Sequence, residues 1–275
     1  MGSFCALCPR VPQWRGSPQR RERPMTLDGQ IFFVTGSSRG TGAAIAREIR
    51  ALGGRVVLHC SASREAAEAL ASELGPHCAG IVQADFAVPG AAPDAWAEAK
   101  RLAGGRLDGL VVNHGIFDAS PAFEDYGAWR EAWGRVMEVD LHSAVDLMRE
   151  AANDHVGTDT PGAIVAIASR AAQRGDDPEH AAYAAAKAGL VATVKTFARA
   201  WSGQGLLAYA IAPGWIDTEM GPQDEAARAR AEAEIPLGEI AEPREIGRLT
   251  AFLLTGACRS ATGATFDVNG ASYVR

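Results

Sequence analysis

The sequence has little lysine, no long apolar run and no regular cysteine spacing, and each of these absences narrows what the protein can be. Three of its 275 residues are lysine, against 24 arginines, so a lysine within a motif seldom arises by chance. Apolar residues never run for eighteen positions, so no membrane-spanning helix and no membrane partner are expected. The five cysteines are odd in number and irregularly spaced, which indicates free thiols in a reducing compartment, the cytoplasm.

A metal site has weak support in the sequence. Cys5 and Cys8 form a C-x-x-C pair, which could suggest zinc. No second C-x-x-C and no paired histidines complete a set of four ligands. The sequence therefore predicts no metal site.

The first 24 residues differ in composition from the rest. They contain five arginines, four prolines and one glutamate, and they carry +4 while residues 25–275 carry −10. We interpret residues 1–24 as a basic, disordered extension, either an arginine-rich transit peptide or a segment upstream of a functional start at Met25. The acidic remainder argues against nucleic acid as a partner.

From Gln30 onward, short apolar segments alternate with segments of helical periodicity. Short strands separated by helices of ten or more residues are typical of parallel βαβ units with right-handed crossovers. The sequence therefore predicts one doubly wound α/β domain over residues 25–275. The expected strands are "IFFVTG", "RVVLHC", "AGIVQAD", "LDGLVVNHG", "GAIVAIAS", "LLAYAIAPG" and "ATFDVNG".

The first strand runs directly into a glycine-rich segment, "TGSSRGTG". Between a strand and a helix, glycines permit a tight turn and bring backbone N–H groups to a pyrophosphate at the helix N-terminus. The spacing is G-x-x-x-G-x-G rather than G-x-G-x-x-G, so an ordinary glycine-rich turn is the alternative. The candidate phosphate-binding residues are Gly36, Ser38, Arg39, Gly40, Thr41 and Gly42.

The end of the second strand indicates which cofactor is preferred. An acid usually stands there to bind the ribose 2′-hydroxyl of NAD, but none occurs before Glu65. Ser61, Ser63 and Arg64 stand there instead, and together with Arg39 they offer groups suited to a 2′-phosphate. We expect NADP(H) to be preferred, with NAD(H) possible. The alternative is that Arg64 merely opens a solvated helix.

The segment "HAAYAAAKAGL", residues 180–190, carries a phenol and an amine four positions apart. On a helix Tyr183 and Lys187 share one face, and a nearby ammonium lowers the pKa of a phenol from its usual value of about 10. Such a pair can donate and accept the proton in carbonyl reduction or alcohol oxidation. The alternative is a half-buried tyrosine beside a lysine that extends to solvent.

Several motifs together resemble those of the short-chain dehydrogenase/reductase family. They are "TGSSRGTG", "NHG" at 113–115, "IAS" at 167–169, "YAAAK" at 183–187 and "PGWIDT" at 213–218. The resemblance covers about residues 26–275 and is to the classical, 3-oxoacyl-(acyl-carrier-protein) reductase-like group. It implies a seven-stranded parallel Rossmann sheet flanked by helices. It also implies an NAD(P)-dependent oxidoreductase that interconverts a carbonyl and a secondary alcohol, assembled as a homotetramer or homodimer.

The resemblance also implies a role for individual residues. Tyr183 would transfer the proton, Lys187 would lower its pKa and bind the nicotinamide ribose, and Ser169 would orient the substrate oxygen. Asp85 and Phe86 would flank the adenine. The remaining cofactor contacts would be Asn113, Gly115, Pro213, Gly214, Ile216 and Thr218.

The chain departs from the family pattern at several positions. His114 replaces an alanine, which we interpret as a tolerated variant, "VNGA" replaces V-D-G-G, and fourteen positions rather than thirteen separate Ser169 from Tyr183. Asp140 aligns with the fourth catalytic residue, an asparagine. We expect its carboxylate to keep the pKa of Tyr183 higher than in relatives.

Two functions stay open at this stage. One is an active oxidoreductase, favoured by intact Ser169, Tyr183 and Lys187. The other is a regulatory or scaffold protein that binds the cofactor but has lost turnover, and only Asp140 points to it. The polar segment 219–237 is expected to cover the substrate pocket and to be mobile. Its composition indicates no particular substrate.

Overall fold

The computed structural model describes residues 25–123, 125–222 and 224–275. The extension over residues 1–24, with Cys5 and Cys8, lies outside the described residues. Within them, seven strands form one parallel sheet in the order β3-β2-β1-β4-β5-β6-β7, as expected. The strands are β1 (Ile31–Val34), β2 (Arg55–Cys60), β3 (Cys78–Gln83), β4 (Gly109–Val112), β5 (Gly162–Ile167), β6 (Leu206–Pro213) and β7 (Thr265–Val268).

Helices follow the strands in the predicted alternation. A π-helical turn, Glu138–His142, joins α4 to α5, and a 3₁₀ turn, Pro178–His180, precedes α7. The helices are α1 (Gly40–Ala51), α2 (Arg64–Leu74), α3 (Ala91–Leu102), α4 (Tyr126–Met137), α5 (Ser143–Gly157), α6 (Ala171–Arg174), α7 (Ala181–Trp201), α8 (Glu225–Ala233) and α9 (Pro243–Leu254).

The sheet is apolar because both of its faces are covered. All four side chains of β1 are buried, as continuous apolar runs in parallel sheets usually are. On one face α1, α2 and α9 contribute apolar side chains such as Ile45 and Leu253. On the other face α3, α5 and α7 contribute Trp96, Leu147 and Val194. Two hydrophobic cores therefore hold the sheet rigid between two helical layers.

The strand order determines where a ligand can bind. Successive strands run outward from β1 in one direction and from β4 in the other, so the order reverses between these neighbours. Crevices at such reversals, at the carboxyl ends of parallel strands, are the usual ligand sites of open α/β sheets. The glycine-rich turn after β1 and the "NHG" segment after β4 both lie there.

The polar segment 219–237 differs from expectation, because it contains the helix α8. Asp224 caps this helix by accepting a hydrogen bond from the Ala227 N–H. Ala231, Ile235 and Ile240 then pack together against Trp215. The sequence did not indicate this small apolar cluster, because charged residues alternate with alanines in the segment and Trp215 lies before it in the chain.

The structure bears on two features inferred from composition, the lack of a membrane-spanning helix and the state of the cysteines. No helix among the described residues is both long and apolar enough to cross a membrane. Cys60, Cys78 and Cys258 are free thiols.

Candidate active site

A cavity of about 660 Å³ opens at the carboxyl ends of the strands. It gathers residues from the segments after β1, β2, β3, β4, β5 and β6, together with α7. Nineteen residues assigned from the sequence line it: Gly36, Ser38, Arg39, Gly40, Thr41, Gly42, Ser61, Ser63, Asp85, Phe86, Asn113, Gly115, Ser169, Tyr183, Lys187, Pro213, Gly214, Ile216 and Thr218.

Two assigned residues are not among those that line the cavity. Arg64 begins α2 and its Nε donates to Glu68 at 2.8 Å on the same helix, which is the arrangement of the alternative interpretation. Asp140 is buried behind Lys187 rather than at the cavity wall. Asp140 can therefore act on the cavity only through its neighbours.

The glycine turn after β1 has the shape that a pyrophosphate requires. Gly36 has a φ of +59°, and a Cβ on Gly42 would come within 2.2 Å of the Gly36 carbonyl oxygen. The amide of Asn113 donates to the same carbonyl oxygen at 3.0 Å and so holds the turn in place. Arg39 at the N-cap of α1 has no acceptor in its side chain, so the first amide groups of the helix are left for an anionic ligand.

Beneath the turn lies a histidine that the sequence did not single out. The Gly36 N–H donates to His59 Nδ1 at 3.0 Å, so Nδ1 is an acceptor and the ring proton sits on Nε2, which donates to the Ala84 carbonyl at 3.1 Å. Burial lowers the pKa of His59 to about 4, so the ring is neutral. His59 therefore ties the glycine turn to the end of β3.

The Phe86 ring lies next to this imidazole. It stacks parallel to the His59 ring with 4.3 Å between centroids, and its centroid is 4.5 Å from that of His114. Only 3% of Phe86 is exposed, so the ring has little free surface for the adenine assigned to it by resemblance.

His114, which the sequence suggested was a tolerated variant, has two hydrogen-bond partners. Its Nδ1 lies 2.7 Å from Thr35 Oγ1 and its Nε2 lies 3.0 Å from Ser143 Oγ. The Ser143 hydroxyl also donates to the Val139 carbonyl at 2.8 Å. Burial lowers the pKa of His114 well below its ordinary value, so this ring is also neutral. The histidine links β1 to α5 across the floor of the cavity, which an alanine could not do.

The α7 helix brings Tyr183 and Lys187 to the cavity. Asp177 accepts hydrogen bonds from the backbone N–H groups of the 3₁₀ turn, and α7 begins directly afterwards. Ser169 follows β5, accepts a hydrogen bond from the Ala171 N–H at 3.1 Å and is hydrogen-bonded to Tyr183. The extra residue between Ser169 and Tyr183 therefore leaves the pair together.

Lys187 and Asp140 form a buried ion pair. Lys187 Nζ lies 3.1 Å from Asp140 Oδ2, and the Ile116 N–H donates to Asp140 Oδ1 at 2.8 Å. Asp140 lies in the π-helical turn, and such turns often accompany functional sites. A Cβ on Gly115 would come within 2.8 Å of Asp140 Oδ2, so the pair needs glycine at that position.

Charge and burial act in opposite directions on these groups. Burial raises the pKa of Tyr183, and the charge of Asp140 raises it further. The charge of Lys187 and the hydrogen bond from Ser169 lower it, but the net pKa is raised. Burial lowers the pKa of Lys187, whereas Asp140 and Tyr183 raise it, and the net pKa is raised. Lys187 therefore stays positively charged, and the neighbouring Tyr183 phenol stays protonated.

Apolar side chains to which the sequence assigned no individual role also line the cavity. They include Ile116, Phe117, Trp215 and Met220. Phe117 meets the Tyr183 ring edge-on at 4.9 Å and stacks on His180 at 3.8 Å. In the sequence, Phe117 lies shortly after "NHG", Trp215 lies within "PGWIDT", and Met220 lies within segment 219–237, which was expected to cover the pocket.

A family model described as Enoyl-(Acyl carrier protein) reductase matches residues 36–271. The chain belongs to the short-chain dehydrogenase/reductase family. The motif resemblance is thereby confirmed. As a short-chain dehydrogenase/reductase, the protein is an NAD(P)-dependent oxidoreductase that acts on small molecules.

The matches to named relatives cover most of this chain. The protein is 34% identical over 249 residues to 3beta-hydroxysteroid dehydrogenase 1 of Eggerthella lenta, and the match covers 89% of this chain and 94% of that protein. It is 32% identical over 251 residues to the 3-oxoacyl-(acyl-carrier-protein) reductase FabG of Escherichia coli, covering 91% and 100%. Among solved structures, a blue fluorescent protein from a metagenomic library, in complex with NADPH, superposes with a TM-score of 0.81 at 32% identity, covering 90% and 100%.

The described residues of this short-chain dehydrogenase/reductase fit a dinucleotide. The glycine turn offers free amide groups to a pyrophosphate, and the crowding at Gly42 keeps the turn free of side chains. In the same part of the chain, no group of three or more His, Cys, Asp or Glu side chains is placed to hold a metal ion.

Proposed function

We propose that the protein is an NADP(H)-dependent oxidoreductase that interconverts a carbonyl and a secondary alcohol. The observation that carries the proposal is that Ser169, Tyr183 and the buried Lys187 line one cavity together with the glycine turn. The nicotinamide cofactor, when bound, supplies or accepts the hydride.

Tyr183 is the general acid and base in this proposal. Its O–H gives the proton to the substrate oxygen in reduction and takes it back in oxidation. Ser169 accepts from the Ala171 N–H and is hydrogen-bonded to Tyr183, so its hydroxyl lies beside the tyrosine, where it can orient the substrate oxygen. Lys187, held charged by Asp140, favours the phenolate and carries hydroxyl-binding N–H groups next to the tyrosine.

Arg39 is the main candidate for the 2′-phosphate of NADP(H). It lines the cavity together with Ser61 and Ser63, whereas Arg64 pairs with Glu68 on its own helix. Asp85 stands at the end of β3 rather than of β2, where an acid would favour NAD(H). The preference is tested by comparing kcat/KM for NADPH and NADH, and a preference for NADH would contradict it.

The substrate in this proposal carries its carbonyl on an apolar body. Phe117 contacts the Tyr183 ring, and Trp215 and Met220 line the same cavity. The names of two relatives, a 3-oxoacyl-(acyl-carrier-protein) reductase and a hydroxysteroid dehydrogenase, imply apolar substrates. A panel of ketosteroids, 3-oxoacyl thioesters and polyhydroxylated ketones, followed by NADPH absorbance, tests this. Turnover confined to the polyhydroxylated ketones would overturn the assignment.

The alternative, a cofactor-binding regulator without turnover, has less support. Its only mark was Asp140, and Asp140 pairs directly with Lys187 rather than displacing it. Tight NADPH binding without turnover on a broad panel would favour it.

We further propose that residues 25–275 form the catalytic domain and that the enzyme is cytoplasmic and assembles as a homotetramer or homodimer.

A further inference from the structure

An ion pair spans two loops of the cofactor cavity. Arg39 Nε, in the glycine turn after β1, lies 3.2 Å from Glu219 Oε2, in the segment after β6. Both residues line the cavity, and a Cβ on Gly40 would lie 3.4 Å from the Thr218 methyl group. The two loops therefore meet at the cavity, and the guanidinium assigned to the 2′-phosphate already holds a carboxylate.

We propose that Glu219 narrows the preference for NADP(H) over NAD(H) by competing with the 2′-phosphate of NADP(H) for Arg39. The proposal rests on the proposed use of Arg39 for that phosphate. The 2′-phosphate of NADP(H) competes with Glu219 when it binds through Nε and the adjacent Nη of Arg39, because the carboxylate occupies that edge of the guanidinium. With NAD(H), which carries a hydroxyl there, the ion pair can stay closed. Glu219 thus disfavours NADP(H) selectively, and it narrows the preference that the arginine creates.

The physical basis is the exposure of the pair. The side chains of Arg39 and Glu219 are 62% and 72% exposed. Such surface pairs contribute little to stability, whereas a phosphate can take a guanidinium through two charge-assisted hydrogen bonds. The phosphate therefore displaces the carboxylate, and the binding free energy of NADP(H) is less favourable by the small free energy of the lost ion pair.

The test is a set of binding measurements on the full chain without substrate. Dissociation constants for NADPH and NADH are measured by nucleotide fluorescence for the wild type and for Glu219→Gln. We expect NADPH to bind about two- to fivefold tighter to the variant, the range of a surface ion pair, and NADH to be little changed. In an Arg39→Ala background, Glu219→Gln should lose this selective effect.

Glu225→Gln is the matched control. It removes the same charge from an exposed residue of the same segment, at the start of α8 and outside the cavity lining. It should leave both dissociation constants unchanged. Equal tightening of NADPH and NADH by Glu219→Gln would reveal a general charge effect and overturn the inference, and weaker NADPH binding would overturn it too.

The measurements distinguish an incorrect role for Arg39 from an incorrect role for Glu219. If Arg39→Ala binds NADPH as tightly as the wild type, Arg39 is not the 2′-phosphate ligand, and the proposed role of Arg39 falls together with the inference. If Arg39→Ala weakens NADPH but Glu219→Gln leaves the NADPH-to-NADH ratio unchanged, only the inference falls.

Discussion

At the scale of single residues, Tyr183 is a partly buried phenol whose pKa is lowered by Lys187 and raised by Asp140. Replacing it by phenylalanine keeps the ring that packs edge-on against Phe117 and removes only the hydroxyl. Tyr183→Phe should therefore abolish turnover while NADPH still binds, because no other group gives the proton to the substrate oxygen. Turnover is followed by NADPH absorbance and binding by fluorescence. A kcat near that of the wild type would disprove the mechanism.

Asp140 acts through the pKa of its neighbours. Its carboxylate raises the pKa of Tyr183, so alcohol oxidation, which needs the phenolate, should require a more alkaline pH than with asparagine there. Asp140→Asn lowers the pKa of Tyr183, and the rise of oxidation rate with pH should shift to lower pH. The plateau kcat should change only modestly, because asparagine still accepts from the Ile116 N–H.

The pH–rate profile of Asp140→Asn separates three outcomes. A shift to lower pH supports a charged Asp140 beside Lys187. An unchanged profile would mean that Asp140 is protonated or screened and has no electrostatic effect on Tyr183. Complete loss of activity would show that the acid has a direct catalytic role.

At the scale of elements, the turn between β1 and α1 depends on the absence of one side chain. A Cβ at Gly42 would lie 2.2 Å from the Gly36 carbonyl oxygen and 2.6 Å from Asn113 Nδ2, so Gly42→Ala must displace the turn. The KM for NADPH should rise roughly tenfold or more, because small displacements of a binding group have large effects on its ligand. Steady-state kinetics measure this, with circular dichroism as a check that the fold is kept.

Gly157→Ala provides the control for that substitution. Gly157 ends α5, and a Cβ there would meet no atom within 4 Å. It should leave the KM for NADPH unchanged. Equal KM values for the two alanine variants would mean that the glycine turn can shift without affecting the cofactor.

At the scale of the whole molecule, α4 carries three neighbouring aromatic side chains that are exposed or partly exposed. Tyr126 is 72% exposed, and its ring lies 5.8 Å from that of the partly exposed Trp129, which lies 5.5 Å from the partly exposed Trp133. A row of solvent-accessible aromatic side chains on one helix is typical of an interface between subunits. We predict a homotetramer or homodimer in light scattering, and Trp129→Glu should shift the mass toward the monomer.

Val88→Glu is the matched control for the assembly. Val88 is also an exposed apolar residue, at 56%, but it lies outside α4. It should leave the mass unchanged. A monomeric wild type would refute the assembly, and an unchanged mass for Trp129→Glu would place the interface elsewhere.

The order of elements and the main motifs were predictable because they depend on neighbours in the sequence. The apolar run of β1 marks a buried strand, and the spacing of Tyr183 and Lys187 by four places them on one face of α7. The helix α8 was not predicted, because its apolar residues are few and pack on Trp215.

What the sequence alone determined is the alternation of strands and helices, the glycine turn and the tyrosine–lysine pair. Each is local, since periodicity, turn formation and helix spacing operate over a few residues. Tertiary structure decided which charged groups meet. It set Arg39 opposite Glu219 and placed Asp140 against Lys187. These two pairs join segments distant in the chain, and only the packing of the sheet and its helices brings them together, whereas the pair of Arg64 and Glu68 follows from their local spacing on α2.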